Sequence, residues 1–364
     1  MNLAIIGTRG IPNSYGGFEE LAEHISVGLN NKGYNVTVYN TSDHSYTKNN
    51  YKGVNIIKKY NPEKLLGSFG QFIYDFKCII ECRKKKFDVI IQLGYTSSAI
   101  WNWMFSKKSY IITNMDGLEW KRDKYSFFVK FLLKIFEKMA VSFSDVIISD
   151  NLEIKKYYYK KYKIKSTFIS YGARLIKNTS ENILIDFDLQ PFEYDLIIAR
   201  MEPENNIEKI ITGYINSKVY SQNKRKLVVI GNGANSYSKY LLKKYKNFNN
   251  IIFMGQIFKK KILNNLRYYS NIYFHGHSVG GTNPSLIEAM SCKSFIIAHN
   301  NVFNKSVLGE DNFYFHSTND ISKFVDNVKK EDYCNIIENN YKKVQEHYNW
   351  EFIINKYEKL LKAI

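Results

Sequence analysis

The chain has 364 residues, is 45% hydrophobic and holds only five prolines, which excludes a disordered chain and suits two domains better than one core. Its formal charge is +18, with +13 in residues 1–180 and +5 in the remainder, so an anionic partner is expected on the first half. Apolar runs are short and broken by lysine, which excludes a membrane-spanning helix.

Residues 1–7 carry no basic leader and run straight into an apolar strand, so no signal peptide is expected. In chain order, strands are predicted at 3–6, 36–39, 54–57, 89–92, 110–113, 146–149 and 167–169, with helices near 18–31, 70–85, 95–105, 125–143 and 151–161. The acidic stretch 178–193 reads as a linker. Strands follow at 195–199, 227–230, 251–253, 272–274, 295–298 and 313–315, with helices near 205–219, 235–246, 259–269, 283–292 and 320–330. Alternation at this spacing predicts two α/β domains, each a doubly wound, Rossmann-like parallel sheet. Such sheets bind ligands at the carboxyl ends of their strands; if those ends face each other, the site is a cleft between the domains. The tail from about 329 reads as helical, with Trp350, Ile353, Ile354, Tyr357, Leu360 and Leu361 on one stripe. Cys78, Cys82, Cys292 and Cys334 form no ligand set and fit buried free thiols of a cytoplasmic protein.

The loops after the strands carry the chemistry. The run 275–290 passes from a strand through His277, Gly280, Gly281, Thr282, Asn283 and Ser285 into a helix holding Glu288. Small residues there allow close approach, the helix start favours an anion such as a diphosphate, and Glu288 suits a ribose or sugar diol. An ordinary strand-to-helix connection is the alternative. Arg200 follows the first strand of the second domain, where its fork matches phosphate oxygens, and Asn205 lies five residues on. Gly231 and Gly233 form another close-approach loop. In the first domain, residues 7–20 lack the G-x-G-x-x-G spacing of a dinucleotide fingerprint. Gly16 and Gly17 instead lead a longer glycine loop into a helix, with Arg9 placed for a phosphate and Glu19 for a hydroxyl or the helix dipole. Asp116, in the turn 113–122, suits an acceptor or sugar hydroxyl; an Asx turn is the alternative. Asp186 and Asp188 have D-x-D spacing but sit in the acidic stretch, and the pair His275 and His277 lacks a third ligand, so no metal is expected.

Two basic, aromatic segments, 125–136 and 155–163, each read either as a membrane interface or as a helix with its apolar side in the core, the interface being favoured for the second. The runs 83–86 and 259–261 read as solvated helix ends.

Taken together, residues 7–12 and 15–19, 116–122, 200–206 and 277–289 resemble the GT-B glycosyltransferases of family 4, in the branch of bacterial capsule and O-antigen rhamnosyltransferases. The resemblance runs nearly end to end. It implies an acceptor-binding domain over 1–177, a nucleotide-sugar-binding domain over 192–347, and a tail helix, about 348–364, packing back on the first. It further implies a nucleotide-rhamnose donor, retention of anomeric configuration, no essential metal and a polyprenyl-diphosphate-linked glycan acceptor at the cytoplasmic face of the inner membrane. Two positions depart from the broader family. Gly280 stands where a first glutamate is usual, leaving Glu288, and Asn205 stands where a lysine is usual. Asp116 occupies the place of a first-domain histidine.

The expected activity is therefore transfer of a sugar, L-rhamnose from dTDP-rhamnose, onto a lipid-linked oligosaccharide by a peripheral membrane protein. Arg200 and the 280–283 loop would stabilise the departing diphosphate, Glu288 would hold ribose, and Asp116 with Gly16 and Gly17 would meet the acceptor. A UDP-hexose donor on the same scaffold and a nucleotide-sugar 2-epimerase are the alternatives. The charge alone fits a nucleic-acid binder, but no such module is present.

Overall fold

Two parallel sheets organise the chain in a computed structural model that describes residues 1–14, 16–123, 125–233 and 235–364. Tyr15, part of the glycine-loop signature, lies outside the described residues. Residues Met1–Tyr171 and Trp350–Ile364 form one unit, and Gly172–Asn349 form the other.

The first unit runs β1 (Asn2–Ile6), α1 (Gly17–Asn31), β2 (Asn35–Thr41), β3 (Asn50–Tyr51), β4 (Val54–Lys59), α2 (Glu63–Leu66), α3 (Phe69–Lys85), β5 (Val89–Leu93), β6 (Tyr110–Asn114), α4 (Phe127–Phe143), β7 (Val146–Ser149), α5 (Leu152–Tyr162) and β8 (Thr167–Phe168). Its described strands are ordered β3-β4-β2-β1-β5-β6-β7-β8. All pairs are parallel except β3 with β4. Leu3, Ala4, Ile5 and Ile6 are fully buried, as strands covered on both faces must be, which is why they read as continuous apolar runs. The segment predicted as a helix over 95–105 forms only a 3-10 turn at Ala99–Met104. The Gln92 amide donates to Ser98 Oγ (2.8 Å) and Ser97 Oγ donates to Asp75 (2.6 Å), which ties this serine pair to β5 and α3.

The second unit continues with α6 (Asn182–Ile185), β9 (Tyr194–Ile198), α7 (Ile207–Ile215), α8 (Lys218–Ser221), β10 (Lys226–Ile230), α9 (Ser236–Lys244), β11 (Ile251–Gly255), α10 (Lys260–Tyr269), β12 (Tyr273–His275), α11 (Pro284–Ser291), β13 (Ile296–His299), α12 (Val302–Leu308), β14 (Phe313–Phe315), α13 (Thr318–Asn327) and α14 (Cys334–Lys343). Its strands are all parallel, ordered β11-β10-β9-β12-β13-β14. Residues 172–193 fold on this unit instead of running free. Leu184 and Leu189 are buried, Ser180 N–H donates to Asn265 (2.7 Å) and Phe192 N–H donates to Tyr269 O (2.8 Å). The acidic composition marks the outer side of this segment: Asp188 pairs with Lys226 at 2.8 Å.

The last helix, α15 (Trp350–Lys362), returns to the first unit. Trp350 stacks on His24 with centroids 4.0 Å apart, Lys32 pairs with Glu358 at 2.7 Å, and Gly28 on α1 is approached by Ile354 so closely that a Cβ there would lie 2.4 Å away. Ile353, Tyr357 and Leu361 are buried on the predicted stripe. Among the described residues no helix is long and apolar enough to cross a membrane.

Each sheet has one place where the strand order reverses, between β1 and β5 in the first and between β9 and β12 in the second. Loops at the carboxyl ends of such strands splay apart and leave a crevice for ligand. The loops 199–206 and 276–283 therefore flank the crevice of the second sheet, and the loops 7–16 and 94–98 flank that of the first.

Candidate functional site

In the second unit the two crevice loops are bonded to each other. Asn205 sits between them: its Nδ2 donates to Arg200 O (2.7 Å), so its Oδ1 accepts from His277 Nδ1 (2.9 Å). Asn206, at φ 50°, donates to Gly276 O (2.8 Å), and both N–H and Oγ of Ser278 donate to Glu204 O (3.0 and 2.8 Å). This contact is tight enough to require glycine at 276, where a Cβ would lie 1.9 Å from Asn205 O. Gly231 is held likewise, 2.0 Å from Ala199 O by the same construction. Both glycines thus admit neighbouring protein backbone, whereas among the described residues Gly233 has only Leu242 near, at 3.6 Å.

Arg200 is exposed, and its guanidinium has no carboxylate within ion-pair distance among the described residues. Gly280 takes φ 125°, a conformation that side chains resist, and a Cβ there would lie 3.1 Å from His277 Nε2. Gly281 is half-buried and Thr282 buried. Asn283 caps α11, its side chain accepting from Ser285 N–H (2.9 Å), with Pro284 at the first helical position. The start of α11 therefore opens at the crevice with its dipole's positive end there. Ser285 Oγ is engaged by Tyr273 OH (2.6 Å) and lies 3.2 Å from Ile198 O, so it fixes the helix start to the sheet.

Glu288 holds one oxygen on Arg267, whose side chain is only 3% exposed against 24% for Glu288. Burial opposes the Arg267 charge, but the Glu288 carboxylate outweighs it and keeps the guanidinium protonated. The second Glu288 oxygen has no protein partner among the described residues. Arg267 lies inside α10 and carries no local sequence signal; only its long-range pairing reveals it. His275 is buried with Nε2 unpartnered among the described residues; burial, His299 and Arg267 push its pKa down to about 3, so it is neutral. No group of three His, Cys, Asp or Glu side chains converges on a metal position among the described residues.

The first unit gathers its candidate residues at the other crevice. Glu19 Oε1 accepts from Arg9 N–H (2.9 Å) and Thr8 Oγ1 (3.2 Å), so it braces the glycine loop. The Arg9 guanidinium forms a bidentate pair with Glu63 (2.6 and 3.1 Å), a partner 54 residues away with no local signal that joins it to Arg9. Gly16 caps α1 in an extended conformation, directly before Gly17. Asp116 takes φ 53°, its N–H donating to Asn114 Oδ1 (3.1 Å), and Tyr171 OH lies 3.5 Å from its Oδ1. Asp116 is half-buried at the carboxyl end of β6, and the Asx-type bond in this turn is made by the Asn114 side chain, to which Asp116 contributes its backbone N–H. Asp75, missed from sequence, is buried beside Ser97, and desolvation raises its pKa to about 7.

Residues 1–174 match the family "Domain of unknown function (DUF1972)", and residues 191–344 match "Glycosyl transferases group 1". The chain is 22% identical over 331 residues to a probable sucrose-phosphate synthase of Thermosipho melanesiensis, covering 84% of this chain and 76% of that protein. Among solved structures it resembles the sucrose-phosphate synthase of Thermosynechococcus elongatus (TM-score 0.79, 16% identity, 100% of this chain and 98% of the other). It also resembles Anabaena HepE, solved in complex with UDP and glucose (TM-score 0.75, 13% identity, 100% and 99%). The second unit thus matches the group 1 glycosyltransferase family over residues 191–344, and the chain as a whole shares the two-domain GT-B fold of these solved structures.

Proposed function

We propose that the protein is a retaining glycosyltransferase that moves L-rhamnose from dTDP-rhamnose onto a lipid-linked oligosaccharide in the synthesis of a cell-surface polysaccharide. The observation that carries this reading is the pair of crevice loops in the second unit, where exposed Arg200, the α11 start and the unpartnered Glu288 oxygen lie around one strand-order reversal. In this reading the ribose hydroxyls donate to Glu288. The donor diphosphate lies over the 280–283 backbone and the start of α11, with Arg200 as its cation. As the bond from the anomeric carbon to phosphate oxygen breaks, charge grows on the diphosphate and Arg200 stabilises it. The acceptor hydroxyl attacks on the same face and passes its proton to that leaving phosphate, so no protein base is required. Asp116, Gly16 and Gly17 belong to the acceptor side, and the protein works at the cytoplasmic face of the inner membrane. No metal takes part; the helix start and Arg200 supply the positive field instead.

The deoxy sugar is favoured by Gly280: the position usually held by a glutamate offers no carboxylate for a donor hydroxyl. A UDP-hexose donor is the second reading, favoured by the structural likeness to HepE, which was solved with UDP and glucose. Purified protein is incubated with dTDP-rhamnose, UDP-glucose and UDP-N-acetylglucosamine, with EDTA present, and scored for thermal protection and for transfer to a lipid-diphosphate glycan. Protection and transfer by dTDP-rhamnose support the proposal. Transfer from a UDP-hexose alone establishes the second reading. Isomerised donor without transfer, or loss of activity in EDTA, overturns the proposal.

A further inference from the structure

We infer that the first unit docks on an anionic lipid bilayer through the solvent face of α4 and the tip joining α2 to α3. A surface helix normally turns polar residues to water. On α4 large apolar side chains stand exposed among the polar ones: Phe127 is 89% exposed, and Phe128, Phe131 and Ile135 are exposed too. Its buried side is Leu133, Glu137, Ala140 and Val141, so the helix is apolar on both faces. Leu65 (79% exposed), Leu66 and Phe69 form a second apolar tip. Phe72 joins the two, its ring 5.5 Å from Phe69 and 5.9 Å from Phe136 of α4. This is one surface, and exposed aromatic and leucine side chains in contiguous array mark an interaction site.

Charge selects the occupant. Lys64, Lys130, Lys134 and Lys138 border the apolar positions, and Lys107 and Lys108 are exposed on the loop before β6. The carboxylate of α4, Glu137, is fully buried and accepts from Trp120, Tyr157, Tyr162 and Lys161. Lys130 pairs with Asp123 (3.6 Å) and Lys64 with Asp43 (3.3 Å), but Lys134, Lys138, Lys107 and Lys108 have no carboxylate within ion-pair distance among the described residues, so the border of the apolar face carries net positive charge. That combination suits a bilayer interface, where rings enter the headgroup region and lysines meet anionic lipid. The same network weakens the rival segment. Tyr157 and Tyr162 of α5 turn toward Glu137 and Tyr158 is buried, so in the tyrosine-lysine run at 155–163, favoured from sequence, Tyr159 is the one exposed ring, against four exposed apolar side chains at 127–135 of α4.

The surface deepens the lipid-linked acceptor reading and rests on it for its purpose, but vesicle binding is independent of any glycan. Full-length protein is cosedimented with vesicles of phosphatidylcholine alone and of phosphatidylcholine with phosphatidylglycerol, neither carrying acceptor. Binding is expected to the anionic vesicles, to fall as salt rises, and to weaken roughly tenfold or more in a Phe127→Ser/Phe128→Ser/Phe131→Ser variant. The variant's melting temperature should match the parent, and Ile185→Ser, an exposed apolar site on the second unit, should bind as the parent does. Equal binding of variant and parent overturns the proposal. So does a parent that ignores anionic vesicles, or one that sediments as a dimer which the triple variant dissolves. Failure of sugar transfer with intact vesicle binding would count against the transferase reading alone.

Discussion

Replacing Glu288 with Gln separates two roles that the structure gives one side chain. The carboxylate is the counter-ion of Arg267, a guanidinium 3% exposed, and its other oxygen is the proposed ribose acceptor. Removing one partner of a buried pair costs about 3–5 kcal/mol; because Glu288 is 24% exposed, water offsets part of this and about 2–3 kcal/mol is expected. For a unit of this size that lowers the melting temperature by roughly 5–10 °C. Donor affinity should fall about tenfold or more, since a charge-assisted hydrogen bond contributes about 1.5–3 kcal/mol. An Arg267→Met/Glu288→Leu double variant then removes both charges and fills the same space. Its melting temperature should return close to the parent, because apolar replacement of a buried pair is near neutral or stabilising. Donor binding should not return. Scanning calorimetry and titration calorimetry with nucleoside diphosphate read the two effects. A Glu288→Gln variant that melts within roughly 1 °C of the parent, the range of a surface change, refutes the buried-pair argument. A double variant with full nucleotide affinity refutes the ribose role.

Arg200→Ala should leave the melting temperature unchanged within about 0.5 kcal/mol, since the side chain is exposed, while turnover falls by the equivalent of about 2–4 kcal/mol; steady-state kinetics at saturating donor checks this. Gly276→Ala drives a Cβ against Asn205 O and should destabilise the second unit and abolish nucleotide protection, whereas Gly233→Ala, facing only the Leu242 side chain, should be tolerated; thermal shift with and without nucleotide compares them. Asp75, raised by burial to about 7, should cost stability as pH rises. Below the unfolded carboxylate pKa both states are protonated and nothing is lost. Between there and pH 7 the unfolded chain ionises first, so stability declines, and above pH 7 it levels off. In Asp75→Asn that decline should flatten in urea titrations across the same range.

The strands were legible because parallel strands buried on both faces must be continuous apolar runs, as 3–6 and 227–230 are. The crevice loops were legible because glycine, proline and an Asn cap have local meanings: Asn283 and Pro284 announce the start of α11 before any contact is known. What stayed hidden depends on distant partners. Arg267 looks like one more helical cation, yet it is the buried anchor of Glu288, and Glu63 gives no sign that it ties down Arg9. The two aromatic, basic helices were indistinguishable by pattern. A single buried carboxylate, Glu137, holds Tyr157 and Tyr162 of α5 inward, while Phe127, Phe128 and Phe131 of α4 face out. The extent of 178–193 was misjudged for a related reason: its acidic residues face water while Leu184 and Leu189 pack inward.

The departures at 205 and 280 belong together. Asn205 uses both ends of its amide, one on the Arg200 carbonyl and one on His277. A lysine there has no acceptor to offer His277 and would release the ring. That ring in turn lies against the position a Gly280 side chain would fill, and the φ of 125° disfavours any side chain there. A glutamate at 280 and a lysine at 205 are therefore each incompatible with the loop pairing that the chain adopts. The loop pairing leaves Arg200 exposed after β9, across the strand-order reversal from the start of α11. Asn205→Lys should accordingly reduce rather than raise turnover: the added charge arrives only by breaking the two bonds that hold Arg200 and His277 in place. Faster turnover in that variant, measured with the parent's donor, would mean that the missing cation limits the reaction and that the paired-loop argument is wrong.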